Sequence, residues 1–314
     1  MKTNRSKLLS KTDNHLIILD DFRVDLKLRN QAKTTIKTDL WNAKKFIEFL
    51  EDKPITEANK EDIKRYLAHL RAKGLKQLSI SRMFSCLSVF FDYLVEAEIR
   101  PDNPVLYVRK RYLQAYKIEK NERHIISIKE AIQLVNSIID TRDKTIVLLL
   151  FKTGMRRKEL LELDLDSINF DNQSIEIKPT PKRTNRIVFL DSETSNQLKR
   201  WIQVRESWAP PKEKALFINR KNQRLTGDYL QKKVAIYAMY IGLHDPKSEK
   251  TENHFSPHCC RHWHSTYLLR SGMRREYVKW LRGDVVREAI DIYFHIDPED
   301  VKQEYLDHIP RFGL

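Results

Sequence analysis

The sequence predicts a mainly α-helical protein in two domains, with one small antiparallel β-sheet inside the second. Three features carry that prediction: apolar residues at helical spacing from 17 to 94, a basic aperiodic run at 109–123, and a switch to strand spacing between 168 and 190. With 314 residues and 41% hydrophobic content, each of two domains can bury a core of its own.

Over 35–50 the residues Ile36, Leu40, Ala43, Ile47 and Leu50 recur at steps of three and four, which places them on one helical face. A second helix starts near Glu61 with Ile63, Tyr66, Leu67 and Leu70 on one side, and Gly74 supplies a left-handed stop. Ile80, Met83, Leu87, Phe91 and Leu94 mark a third. With a helix over 17–28, these form an all-helical unit expected to end near Asn103-Pro104, because Pro101 and Pro104 interrupt helix. The run RKRYLQAYKIEKNER at 109–123 has six basic residues and no strong period, and reads as an extended linker. The expected domains are therefore 15–108 and 124–314, joined by 109–123.

In the second domain, helices are expected at 127–140 and 144–152, with a break at Thr153-Gly154 and a further helix from Met155. Strands follow at 168–170, 174–178 and 186–190, around turns at Asp171-Asn172 and 179–185. Helical spacing resumes at 192–205, 229–241, 258–271, 274–281, 286–293 and 297–308.

Lys and Arg number 58 against 43 Asp and Glu, a net charge of +15, which favours a polyanionic partner. The three cysteines include the adjacent pair Cys259 and Cys260, poor geometry for a disulfide framework, so a reducing cytoplasmic setting is expected. The first residues lack a leader pattern and the longest apolar run, 146–151, is too short to span a bilayer, so no membrane role is expected.

Three segments place basic or nucleophilic side chains at helix ends. In TGMRRKELLELDLDSI (153–168), Gly154 permits a tight turn and sets Arg156 in a first helical turn, three residues before Glu159. In PHCCRHWHSTYLLRSG (257–272), His258 and Arg261 share a helical face while Cys259, Leu268 and Leu269 turn to a core. Zinc is disfavoured there, because His258, Cys259, Cys260, His262 and His264 do not combine the spacings of structural sites. In KWLRGDVVREAIDIYFHID (279–297), Gly283 and Asp284 precede a short helix carrying Tyr293. Taken singly, these are an ordinary surface ion pair, a cluster of polar residues and a core aromatic.

Their order, T-G-M-R-x-x-E-L, then H-x-x-R-H, then L-R-G-D with a tyrosine nine positions after the aspartate, resembles the catalytic signature of the tyrosine recombinase (phage integrase) family. Residues 35–104 are similar to that family's helical core-binding domain, including the helix ending FFDYL and the closing Asn-Pro. The resemblance covers about 15–310, and the L-R-G-D form with the tail YLDHIPRFGL looks like an archaeal branch.

The resemblance implies a helical core-binding domain and a catalytic domain clamping duplex DNA at a specific site, without cofactor or metal. It implies a homo-oligomer, a dimer on each site and a tetramer in synapsis, located in the cytoplasm with the nucleoid. It also implies that Arg156 and Arg261 bind the scissile phosphate, that Tyr293 attacks it, and that His258 contacts the phosphate or assists deprotonation of Tyr293. Two guanidinium forks can neutralise the charge of the transition state without a metal. Glu159 would orient the basic groups. The proton donor to the leaving 5′-oxygen is a hairpin lysine in the family, here Lys182, with Lys178 as alternative. The C-terminal helix, with Val301, Tyr305, Leu306 and Ile309 as an apolar stripe, is expected to dock on a neighbouring protomer.

Asp284 departs from the family pattern, which has histidine or tryptophan there; as an anion it repels phosphate, so an orienting role is expected. The implied biology is integration and excision of a mobile or viral element. Rival readings are an Xer-type chromosome-dimer resolvase, a type IB topoisomerase, and a non-catalytic DNA-binding protein that retains the fold.

Overall fold

Capping chemistry sets most of the helix boundaries. The computed structural model describes residues 11–113, 125–179, 185, 187–248, 250–284 and 296–314, which fall in two compact units dividing between Lys120 and Asn121. The first unit comprises α1 (Lys11–Leu28), α2 (Lys33–Leu50), α3 (Lys60–Ala72), α4 (Gln77–Glu96) and α5 (Pro104–Tyr112). Asn59 opens α3 with a reciprocal cap: its side chain accepts from the Glu61 and Asp62 amides while Asp62 accepts from the Asn59 amide. Gly74, with φ +73°, follows the end of α3 as its spacing predicts.

The apolar stripes read from the sequence meet at the centre of this unit, where Phe46 lies 5.1 Å from Tyr66 and Phe22 lies 5.0 Å from Phe90, ring centre to ring centre. Each such aromatic pair contributes about 0.5–1.5 kcal/mol beyond the area it buries. Among the described residues α4 is long and apolar enough to cross a bilayer by length and composition, but its Ile80, Phe84, Leu87, Phe90, Phe91 and Leu94 are buried in this core.

One boundary is corrected. Asn103-Pro104 does not end the helical unit; it begins α5, with the Asn103 side chain accepting from the Val105 amide and Pro104 in the first turn, where a missing N–H costs nothing. Residues 109–112, read as extended linker, are the last turn of α5, and Arg109 reaches the Ser85 hydroxyl at 3.2 Å. The remainder of that run, 114–123, lies outside the described residues.

In the second unit, α6 (Ile128–Asn136) and α7 (Thr141–Thr153) are capped by Ser127 and Asp140, so the helix expected over 127–140 is shorter and the next one begins earlier. Buried from Thr145 to Thr153, α7 runs between α9 (Ser192–Glu206) and α11 (Pro257–Arg270). A short α8 (Arg157–Leu161) leads to β1 (Ile168–Asn169), β2 (Ser174–Glu176) and β3 (Ile187–Phe189). The sheet is antiparallel in the order β1-β2-β3, with Ile168 opposite Ile175 and Ile175 opposite Val188. Among the described residues the remaining helices are α10 (Gly227–Tyr240), α12 (Arg275–Arg282) and α13 (Pro298–His308), and the helix expected at 286–293 lies outside them.

The apolar stripe of the C-terminal helix, expected to dock on a neighbour, packs within this chain. Val301, Tyr305 and Ile309 are buried against Phe189, Leu268, Met273, Tyr277, Val278 and Leu281 of the same unit. Beyond α13, Phe312 enters the main core beside Phe151 and Trp263. The tail is fastened by a buried ion network: Lys152 Nζ donates to Asp191 Oδ2 at 2.6 Å, to Glu193 Oε2 at 2.9 Å and to the Pro310 carbonyl at 2.6 Å. Glu193 in turn accepts from the amides of Phe312, Gly313 and Leu314.

Candidate active site

Two left-handed glycines build the site. Gly154 (φ +59°) ends α7 and Gly283 (φ +61°) ends α12, a conformation in which an L side chain is strained. Each leaves a helix C-terminus with its partial negative charge aimed at the same guanidinium. Arg261, on α11 and only 5% exposed, donates from Nη1 to the Gly154 carbonyl at 2.6 Å and from Nη2 to the Arg282 carbonyl at 2.8 Å. A buried cation is tolerable here because carbonyl oxygens replace water around it. The turn at Gly154 is packed tightly: a Cβ there would lie 2.5 Å from Cδ2 of the buried His264, whose Nδ1 is 3.1 Å from the Phe151 carbonyl.

Arg156 leaves this turn as the residue preceding α8. Glu159 takes both its amide, at 2.7 Å, and its Nη1, at 2.8 Å, so one buried carboxylate caps the helix and fixes the fork. The side chain of Arg156 remains 32% exposed. Asp284 completes the cluster. Its Oδ1 is 3.6 Å from Arg261 Nη2 and 3.9 Å from Arg156 Nη2, and its Oδ2 is 3.0 Å from Arg282 Nε. Arg156, Glu159, Arg261 and Asp284, chosen from the sequence, thus form one constellation. Arg282 joins it; sequence reasoning passed it over although it lies within the L-R-G-D motif.

His258 stands exposed on the first turn of α11, with the exposed His262 one turn on at 4.4 Å between ring centres. Leu269, read as a core residue, is 47% exposed, because α11 turns Leu268 rather than Leu269 inward. Of the two adjacent cysteines, Cys260 is buried, its thiol pushed well above the ordinary value by burial, and Cys259 donates to the His254 carbonyl. No metal-holding group of three or more His, Cys, Asp or Glu occurs among the described residues.

Lys178, the alternative proton donor, is engaged: its Nζ lies 2.6 Å from Asp164 Oδ2, while Arg224 binds the other oxygen of Asp164. Burial would raise the Asp164 pKa, but hydrogen bonds from Lys178 and Arg224 outweigh it and hold the carboxyl below its ordinary value. Lys182 and Tyr293 lie outside the described residues.

Among the described residues this cluster holds three guanidiniums and two carboxylates, with Arg156 and Asp284 each about one-third exposed. Comparisons with known proteins show the family and the fold. Residues 119–300, more than half of the chain, match the phage integrase family, and residues 18–100 match the phage integrase N-terminal SAM-like domain. The tyrosine recombinase XerC of Psychromonas ingrahamii is 24% identical over 90% of this chain and 92% of its own length. XerC of Alcanivorax borkumensis is 28% identical over 80% of this chain and 79% of its own length. Among solved structures, the Tn1549 transposon integrase in complex with circular intermediate DNA superposes with a TM-score of 0.67 at 18% identity, covering 91% of this chain and 98% of that one. The lambda integrase dimer bound to a COC′ core site gives 0.68 at 15% identity, covering 89% and 76%. Both share the fold.

Proposed function

This chain belongs to the phage integrase family and is a tyrosine-type site-specific DNA recombinase, an enzyme that cuts and rejoins DNA strands, and from that premise we propose which of its residues run the reaction. The observation that carries the assignment is the convergence of two independently fixed guanidiniums, Arg156 and Arg261, on a single anionic oxygen at 3.9 and 3.6 Å. A scissile phosphate takes that place. Its non-bridging oxygens gather charge in the transition state, and forks held beforehand by Glu159 and by two helix ends stabilise that charge with little reorganisation.

Tyr293 attacks phosphorus, forming a 3′-phosphotyrosyl bond as the bond to the 5′-oxygen breaks. With a reference pKa of about 10, the phenol must give up its proton during attack, and His258 assists that loss or binds the phosphate. Lys182 returns a proton to the leaving 5′-oxygen, giving a free hydroxyl. A 5′-hydroxyl of the partner strand then reverses the step. Lys182 is preferred to Lys178, which is held by Asp164.

The partner is duplex DNA carrying a specific recombination site, bound as a dimer per site and a tetramer in synapsis, in the cytoplasm with the nucleoid. The helical core-binding domain, the basic run after it and the catalytic domain all contribute phosphate contacts, so binding falls steeply with salt. The biological role is integration and excision of a mobile or viral element. Chromosome-dimer resolution is the second reading, favoured by the XerC relatives. The test begins with selection of the bound site from fragments of the source genome. A nicked suicide duplex bearing that site should yield a covalent protein–DNA adduct that Tyr293→Phe abolishes; no adduct on the selected site would contradict the enzyme assignment. A site beside the gene supports the mobile-element role, and a chromosomal site elsewhere supports dimer resolution.

A further inference from the structure

We infer that Asp284 is a built-in competitor for the scissile phosphate, which DNA must displace from the arginine pair before cleavage; the inference rests on the assignment of Arg156 and Arg261 as phosphate binders. Its Oδ1 lies 3.6 Å from Arg261 Nη2 and 3.9 Å from Arg156 Nη2, so it occupies a position from which an anionic oxygen reaches both forks. A carboxylate cannot donate a hydrogen bond to phosphate, and two anions there repel each other. Asp284 and the phosphate are therefore alternatives for that place.

The contact lengths say which way the exchange goes. Charge-assisted N–H···O bonds run about 2.7–2.9 Å, so the two catalytic contacts are loose, and phosphate can make shorter, bidentate ones. Oδ2 lies 3.0 Å from Arg282 Nε, an ion pair without aligned hydrogen-bond geometry, and this nearby cation keeps the carboxylate at hand when Oδ1 is displaced. Asp284 and Arg156 are about one-third exposed, so the exchange needs no opening of the core. The backbone of Asp284 stays anchored through its amide to the Lys279 carbonyl at 3.3 Å, so only the side chain moves. The consequence is selectivity. A phosphate held by few other contacts fails to displace the carboxylate, whereas one pressed in by a fully docked site succeeds. Asp284 is in this account a positioning residue, since it never touches the reacting atoms.

The test uses the full chain and inorganic phosphate as probe. Thermal unfolding is followed across a phosphate titration at constant ionic strength, and affinity is taken from the ligand-dependent stabilisation. Removing the competing charge in Asp284→Asn should tighten phosphate about tenfold or more. Arg282→Ala should weaken phosphate binding, because the carboxylate then has only the catalytic pair, and the Arg282→Ala/Asp284→Asn double variant should match Asp284→Asn alone. Arg156→Ala/Asp284→Asn should lose the gain, which ties it to this site. Asp284→Ala serves as a second neutral variant should the asparagine perturb folding. A merely structural aspartate would lower the phosphate-free melting temperature and leave phosphate affinity unchanged, and that result overturns the inference. A Tyr293-dependent adduct together with unchanged phosphate affinity in both neutral variants would sink the competitor role alone. Tighter phosphate binding in those variants supports it even if the wild-type chain forms no adduct.

Discussion

The second unit contains two clusters of opposite charges within one stretch of structure, and they are built differently. Around Lys152, fully buried, every contact is short: 2.6 Å to Asp191, 2.9 Å to Glu193 and 2.6 Å to the Pro310 carbonyl. Around Asp284, contacts to Arg261 and Arg156 stretch to 3.6 and 3.9 Å and about a third of the aspartate side chain meets solvent. The first cluster has its ligands already, from the chain itself, and fastens the C-terminal tail. The second has its cations fixed from behind, by Glu159 and by the ends of α7 and α12, while in front, among the described residues, a carboxylate meets Arg261 and Arg156 at longer range. Short and closed marks a structural device; fixed behind and loose in front marks a place for an incoming anion.

Four perturbations sharpen or break that contrast. Lys152→Ala should have the largest effect, leaving two carboxylates buried without their cation, and should cost about 3–5 kcal/mol in urea unfolding. Arg156→Ala should do the reverse, lowering strand cleavage about 10²–10³-fold at a smaller stability cost of about 1–2 kcal/mol, since its fork is partly exposed and Glu159 keeps the Arg156 amide. Equal losses of stability in the two variants would erase the distinction.

Gly154→Ala should lie between them in kind. The left-handed φ of +59° and a Cβ only 2.5 Å from His264 together should cost about 2–3 kcal/mol. Because the Gly154 carbonyl anchors Arg261, cleavage measured well below the melting temperature should also fall. The smallest effect is acid sensitivity. Burial pushes the Glu193 carboxyl up, but the Phe312 amide and the Lys152 ammonium outweigh it, so its folded pKa is lowered. A lowered pKa gives stability that is complete above the unfolded value of about 4.3 and is lost as pH falls through the folded value. The melting-temperature gap between wild type and Glu193→Gln should therefore be constant from pH 6 to 8, to within about a degree, and shrink below about pH 4.

Legibility followed the range of the interactions. Helices were readable where stripe and cap are local, as in Asn59 to Gly74, and the capping pair Arg156 and Glu159 is visible because it spans three residues. Asn103-Pro104 was misread because one dipeptide can either end a helix or begin the next, and only packing decides which. The Lys152 network could not be seen at all: its partners are 39, 41 and 158 positions away, and an isolated lysine at a helix end carries no period. The convergence of Arg156, Arg261 and Asp284 came from motif order rather than from physics read along the chain. Arg282 was missed because its contribution, a carbonyl to Arg261 and a guanidinium to Asp284, depends on the turn at Gly283 bringing both around.

The central claim is that the open cluster serves a tyrosine nucleophile. It is tested most directly by digesting the covalent adduct formed on the suicide duplex with trypsin and nuclease and locating the nucleotide by mass spectrometry. The account predicts a single modified peptide with the nucleotide on Tyr293. A nucleotide on any other residue, with Tyr293 unmodified, would contradict it.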